Sequence, residues 1–130
     1  MRDYNKIYER KGILPLSFLL SLKDASKENI YETINDVNVK MTSQRYPVFK
    51  NNTKCVCCGL EASYLSIDKK KSESKNTENY HLNMYGLKDG NEIQFTKDHI
   101  IPKSKGGKNV QSNYQTMCEF CNYEKGNKLF

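Results

Sequence analysis

The sequence predicts an α+β fold: a small domain held by a four-cysteine staple and preceded by a mainly helical N-terminal arm. Three observations lead there. At 130 residues the chain has room for one domain, or one domain with an appended arm. Its hydrophobic fraction, 37%, is modest, so the core is small and needs reinforcement. Cys55/Cys58 and Cys118/Cys121 are two pairs with the same CxxC spacing, the usual knuckle of a structural zinc.

Residues 1–50 form the expected arm. Leu14, Leu16, Phe18, Leu19, Leu20 and Leu22 make an apolar stretch after Gly12, and Pro15 is tolerated in its first turn. Ser26 caps a second short helix, with Ile30, Ile34 and Val37 at helical spacing. Val37 to Met41 also alternates, so a brief strand stands as the alternative there. Pro47 argues against one continuous helix through Ser43–Lys50. No chemistry is assigned to this arm, and a packing scaffold is its favoured role.

Residues 51–130 form the expected second unit. The first cysteine knuckle leads into a strand over Ser63–Ile67. Residues 68–79 are charged, without an apolar period, and read as a flexible loop. Tyr80–Leu87 alternates, Lys88-Asp89-Gly90-Asn91 turns, and Glu92–Thr96 returns: a hairpin signal. Its second strand delivers Asp98 and His99.

Five cysteines, an odd number, do not suit a disulfide framework. Paired as CxxC, four of them converge on a tetrahedral ion at Zn–S distances of about 2.3 Å. We assign Cys55, Cys58, Cys118 and Cys121. Cys57 leaves an alternative open, because Cys55–Cys57 is also a possible, less comfortable pair. With four protein ligands such a zinc has no open position, so it is structural. Free thiolates imply a reducing interior. Met1–Arg10 is polar, and Ile13–Leu22 is too short and interrupted to span a bilayer, so a soluble cytoplasmic chain without a membrane partner is expected. A formal charge of +6, nearly all from lysine, suits a nucleic-acid backbone, although a solvated surface has the same composition.

The run FTKDHIIPKSKGGKNVQSNYQTMCEFCNYEKG, Phe95–Gly126, concentrates the chemistry. His99 has the side chain for taking a proton near neutral pH. Asp98 offers a hard oxygen ligand for magnesium or manganese, and Asn122 a neutral carbonyl oxygen. Neighbours on a strand point to opposite faces, so joint action by Asp98 and His99 requires a bend near Ile100 or a reach around the strand end.

This run resembles the active segment of the HNH endonucleases, through DHIIPKSKGG, a following Asn, MCxxCN and KG. The resemblance covers the last 36 residues closely and extends back to the Cys55 knuckle. It implies a beta-beta-alpha-metal (His-Me finger) core. It further implies His99 as general base, Asp98 and Asn122 as ligands of one Mg2+ or Mn2+, and Asn113 as the residue that ties the loop together. Asn122 stands where the family's name-giving terminal His would be, a common variant. The implied activity is nicking of DNA to 5′-phosphate and 3′-hydroxyl ends, in a bacterial or phage-infected cell; RNA stays open as substrate. Lys103, Lys105, Lys108 and Lys125 are the candidate phosphate contacts, with Lys125 favoured as a mobile cation on the helix face of Asn122. Tyr114 and Tyr123 are read as sugar or base contacts or as packing, and His81 as a surface or structural histidine. The alternatives are a non-catalytic zinc-stapled nucleic-acid-binding module, or the nuclease subunit of a larger restriction, homing, packaging or defence system. A homodimer or other protein partner is left open.

Overall fold

The structure, a computed structural model, describes residues 3–25, 28–73 and 79–128. The expected helix cap Ser26 and residues 74–78 of the expected charged loop lie outside the described residues, and the loop reading is corrected for the rest: Asp68–Lys70 end a strand, Lys71–Glu73 form a 3-10 turn and Asn79 opens the next strand. Among the described residues no helix is long and apolar enough to cross a membrane.

Two long antiparallel strands form the centre, β4 (Ala62–Lys70) and β5 (Asn79–Lys88). Their register pairs Leu65 with Met84 and Ile67 with Leu82, and all four side chains are buried in the core. Period-two alternation puts the intervening residues on the opposite face. There Ser66, Asn83 and Tyr85 surround Asp68, which is fully buried. Its carboxylate accepts hydrogen bonds from Ser66 Oγ (2.6 Å), Asn83 Nδ2 (2.9 Å) and Tyr85 Oη (2.7 Å). Arg10 approaches the same carboxylate at 3.6 Å and pairs with Glu92 at 2.9 Å. A buried charge is tolerated only when paired and hydrogen-bonded, and this network meets that demand.

Arg10 lies on β1 (Tyr8–Leu14), the edge strand antiparallel to β4. The mainly helical reading of residues 1–50 is therefore corrected. β2 (Tyr31–Ile34) and β3 (Val37–Lys40) form a hairpin, with positive φ at both Asn35 and Asp36, and β3 runs parallel to the start of β5. Of the two readings of Val37–Met41, the strand holds. The leucine-rich stretch makes only a short 3-10 turn, Leu16–Ser21, in which Leu19 is buried and Leu20 is 80% exposed. The physical reason is distance in sequence: β1 and β3 are stabilised by strands tens of residues away, which outweigh local helical periodicity. The α-helix in this region is α1 (Arg45–Asn51). It contains Pro47 as its third residue, where the missing N–H would have had no helical partner.

The hairpin expected at Lys88–Asn91 is present. Asp89 and Gly90 both adopt positive φ, the two-residue turn that matches the twist of paired strands. It leads into β6 (Asn91–His99). Residues 91–94 of this strand pair with β5, and residues 95–99 leave the main sheet to pair with β7 (Tyr114–Cys118). Directly after β7 comes α2 (Glu119–Lys125). The chain thus ends in strand, loop, strand and helix, and the first strand of this unit is continuous with the main sheet.

His81 stands opposite Asp68 in the β4–β5 register, edge-on to the Tyr8 ring. Burial, reinforced by the nearby Arg45 guanidinium, holds its pKa down to about 4. The unfolded chain, titrating at about 6.5, binds this proton first. Stability should therefore fall as pH drops from about 6.5 towards 4 and be independent of this group above that window. His81→Gln should flatten the fall relative to the unmodified protein when chemical denaturation is followed across that range; an unchanged slope would remove His81 as its source.

Candidate functional site

Two centres meet on the strand–loop–strand–helix unit. The first is built from four sulfurs. Before β4, a bridge between Lys54 and Glu61 closes a tight loop. Gly59 takes φ +79 inside it, and the Cys55 N–H donates to the Leu60 carbonyl at 2.9 Å. The Val56 N–H donates to the Thr116 carbonyl at 3.0 Å, fixing this knuckle against β7. Cys118 ends β7 and Cys121 lies in the first turn of α2. The four thiols of Cys55, Cys58, Cys118 and Cys121 converge, with all sulfurs within 4.8 Å of one another and Cys58 3.8 Å from Cys118. A tetrahedron with Zn–S bonds of about 2.3 Å has edges of about 3.8 Å. Cys57 is exposed and outside the converging set.

The thiols themselves favour a cation. Burial pushes Cys118 up, and it pushes Cys121 up further with help from the crowded neighbouring sulfurs. Cys55 moves the other way: burial opposes its ionisation, yet backbone N–H groups of Cys118, Cys58 and Cys57 bring it down to about 7. Sulfurs this close resist joint ionisation by themselves, and a divalent ion removes that resistance. The four thiols could hold one metal ion with every ligand supplied by protein.

The second centre lies where α2 packs on β6. On β6, Thr96 and Asp98 share one face; on α2, Asn122 and Lys125 sit one turn apart. The two sets meet side chain to side chain. Asn122 Nδ2 donates to Thr96 Oγ1 at 2.8 Å. Lys125 Nζ reaches Asp98 Oδ2 at 2.8 Å and also donates to the His99 carbonyl. Gln115, the cross-strand partner of Asp98, donates Nε2 to the same Oδ2 at 2.9 Å. Among the described residues both side-chain donors to the carboxylate thus fall on Oδ2, and none falls on Oδ1.

Lys125 departs from expectation. Read as a mobile phosphate contact, it is instead 1% exposed and ion-paired with Asp98. Helix periodicity correctly put it near Asn122, but that face looks inward onto β6 rather than outward. Lys103, Lys105 and Lys108 are exposed on the loop between β6 and β7.

His99 ends β6, its ring edge-on to Tyr114 with centroids 5.1 Å apart. Its Nε2 lies 2.8 Å from Asn109 Oδ1. Asn113 ties the loop ends together: its Oδ1 accepts from the Ile101 N–H at 2.8 Å, and its Nδ2 donates to the carbonyls of Ile101 (3.0 Å) and Lys108 (2.9 Å). Gly107 is required there, because a Cβ would fall 1.7 Å from the Ile101 carbonyl oxygen. The loop and α2 enclose an open cleft of about 280 Å³, bordered by Asp98, His99, Pro102, Lys103, Asn122 and Lys125. Asp98 and His99 occupy opposite strand faces yet border one cleft because the strand ends at His99. Tyr114 is buried in the core and Tyr123 is 86% exposed.

Thr96, Asn109 and Gln115 were not singled out in the sequence. Gln115 follows from the β6–β7 register once it is known. Thr96 precedes Asp98 by two residues, which puts it on the same face; Asn109 carries no sequence signal.

A family model described as HNH endonuclease matches residues 84–129. The matched stretch contains Asp98, His99, Asn113, Cys118, Cys121 and Asn122, and Cys55 and Cys58 precede it. Comparisons with curated proteins and with solved structures returned no match. The C-terminal third is therefore similar to HNH endonucleases, and its Cys118 and Cys121 converge with a cysteine pair from outside that stretch.

Serine at Cys55, Cys58, Cys118 or Cys121 should abolish stoichiometric metal retention and lower the melting temperature. Cys57→Ser should leave both unchanged. Elemental analysis beside thermal melts checks this; loss of metal in the Cys57 variant, with retention in the other four, would reverse the assignment.

Proposed function

We propose that the protein is a metal-dependent HNH endonuclease that hydrolyses nucleic-acid phosphodiester bonds, with DNA as the favoured substrate. The observation that carries the reading is the coincidence of two facts. The stretch similar to HNH endonucleases contains Asp98, His99 and Asn122, and these three border one solvent-open cleft. In this reading the four-cysteine centre holds zinc and fixes the start of α2.

The donor set of the cleft fits a hard divalent ion. It offers a carboxylate oxygen, Asp98 Oδ1, and the side-chain carbonyl of Asn122, with room beside them for water and phosphate. When bound, Mg2+ or Mn2+ would neutralise charge on the phosphoryl group and its leaving oxygen. His99 would accept the proton of the attacking water. Its Nε2–H, donated to Asn109 Oδ1, leaves Nδ1 as the basic nitrogen. Asp98 is already neutralised by Lys125, so the ion should bind weakly until substrate phosphate adds its charge. Exposed Lys103, Lys105 and Lys108 would hold the backbone in a salt-sensitive way. The products would be 5′-phosphate and 3′-hydroxyl ends.

One observation favours a second reading. The Lys125 ammonium already satisfies the charge of Asp98, as it would in a non-catalytic, zinc-stapled nucleic-acid-binding module. Incubation with DNA and RNA under magnesium, manganese and EDTA separates the two. Cleavage with either metal and none with EDTA supports the nuclease; binding without cleavage in every arm favours the module. In the active arm, His99→Ala should cost roughly 10²–10⁴-fold in rate while sparing the fold and most binding. A correctly folded His99→Ala variant that cuts at the normal rate would remove His99 from the role of base.

A further inference from the structure

We infer that Thr96 is a positioning residue for the cleft: its hydroxyl fixes the side-chain amide of Asn122 so that the carbonyl oxygen, rather than the NH2 group, faces a divalent cation. This inference rests on the proposed role of Asn122 as a metal ligand and deepens it.

The argument is a count of protons. A threonine hydroxyl has one to donate. Thr96 Oγ1 lies 2.8 Å from the backbone carbonyl of Met117, its cross-strand partner, and donates to it. The hydroxyl can then only accept from its other neighbour. That neighbour is Asn122, at 2.8 Å, and only its Nδ2 has protons to give. Reversing the amide would set two acceptors against each other, unless the hydroxyl abandoned Met117, which is fully buried. With Nδ2 turned to Thr96, Oδ1 is the end of the amide left for the cleft that Asn122 borders.

The consequence is chemical. An asparagine amide is two-faced, and its NH2 end is no metal ligand. A free Asn122 would lose part of its metal affinity to the wrong orientation and to ordering its side chain. Thr96 removes that choice without touching the ion. It also links the carbonyl of a β7 residue next to the cysteine ligand Cys118 to the ligand on α2, through one oxygen.

The test measures Mn2+ binding by electron paramagnetic resonance, with zinc content and melting temperature as fold controls and cleavage recorded in parallel. Thr96→Val should keep zinc and bind Mn2+ about 10- to 100-fold more weakly, the usual cost of losing a hydrogen bond to a metal ligand. Thr96→Ser, which restores the hydroxyl, should recover the affinity. Asn122→Ala serves as the reference. If Asn122→Ala weakens Mn2+ binding and Thr96→Val does not, the inference fails and the nuclease reading stands. If Asn122→Ala itself leaves binding and cleavage unchanged, the ligand role fails and takes this inference with it. Should Thr96→Val lose zinc, the unmodified protein decides: the Asn122 ¹³Cγ resonance should shift on Mg2+ addition while its Nδ2H2 protons stay hydrogen-bonded. Movement of the NH2 pair without the carbonyl carbon would overturn the orientation.

Discussion

The seating of α2 on β6 is the constraint on which the cleft depends. Two residues along a strand advance about 6.8 Å, and three along a helix about 4.5 Å. The mismatch is absorbed by side-chain length. Short Asn122 meets Thr96, and long Lys125 extends to Asp98. Both contacts are polar, so they specify position where apolar packing would tolerate sliding. Cys121, directly before Asn122, belongs to the four-sulfur centre, so the cluster anchors the same helix at its first turn. A helix of this length has little stability of its own. Its geometry is imposed by the sulfurs at one end and Lys125 at the other.

The buried Asp98–Lys125 pair contributes orientation more than net stability. Removing both charges from water costs much of what their attraction returns. What the pair does supply is a fixed carboxylate with Oδ2 engaged, in a cleft that its other charged lining residues, Lys97 and Lys103, leave net positive. A positive cleft has little attraction for a free divalent ion. In the nuclease reading substrate phosphate, drawn to that charge, supplies the negative charge that retains the metal. The exposed lysines of the β6–β7 loop remain the source of longer-range attraction.

The sequence was legible where local chemistry dictates structure. Asp89-Gly90 demands a two-residue hairpin turn, and β5 and β6 follow from it. Two CxxC pairs predict converging sulfurs, and four sulfurs converge. The order of β6, loop, β7 and α2 was also readable from the motif run. It was not legible where the partner is distant. β1 reads as polar chain because Asp68, the carboxylate that receives its Arg10, lies 58 residues away. The leucines at 14–22 suggested a helix, but Leu16–Ser21 forms a 3-10 turn that packs on the core. Lys125 looked like a surface cation because the helical period gives faces without saying which face is covered. Asn109 acts through a single hydrogen bond that nothing in residue type or spacing announces, and Thr96, placed on the face of Asp98 by its spacing, takes its role from two hydrogen bonds to distant residues, Met117 and Asn122.

The N-terminal half, without a motif of its own, frames the cleft. The Tyr4 hydroxyl donates to Glu119 of α2 and accepts from the Gln94 N–H of β6 at 2.9 Å, so it bridges the two elements that carry the cleft. Gln44 accepts from Lys97 through its side chain and from Gln111 through its backbone carbonyl, both at 3.1 Å. Thr116 of β7 donates to the Asn52 carbonyl at 2.6 Å, just past α1. These contacts converge on β6, β7, α2 and the intervening loop. Residues 1–50 thus brace these elements, and local periodicity described them poorly because their partners lie far away in sequence. The brace fixes β6 where it leaves the main sheet, and that departure lets Asp98 and His99 stand at a strand end beside an open cleft rather than inside a continuous sheet.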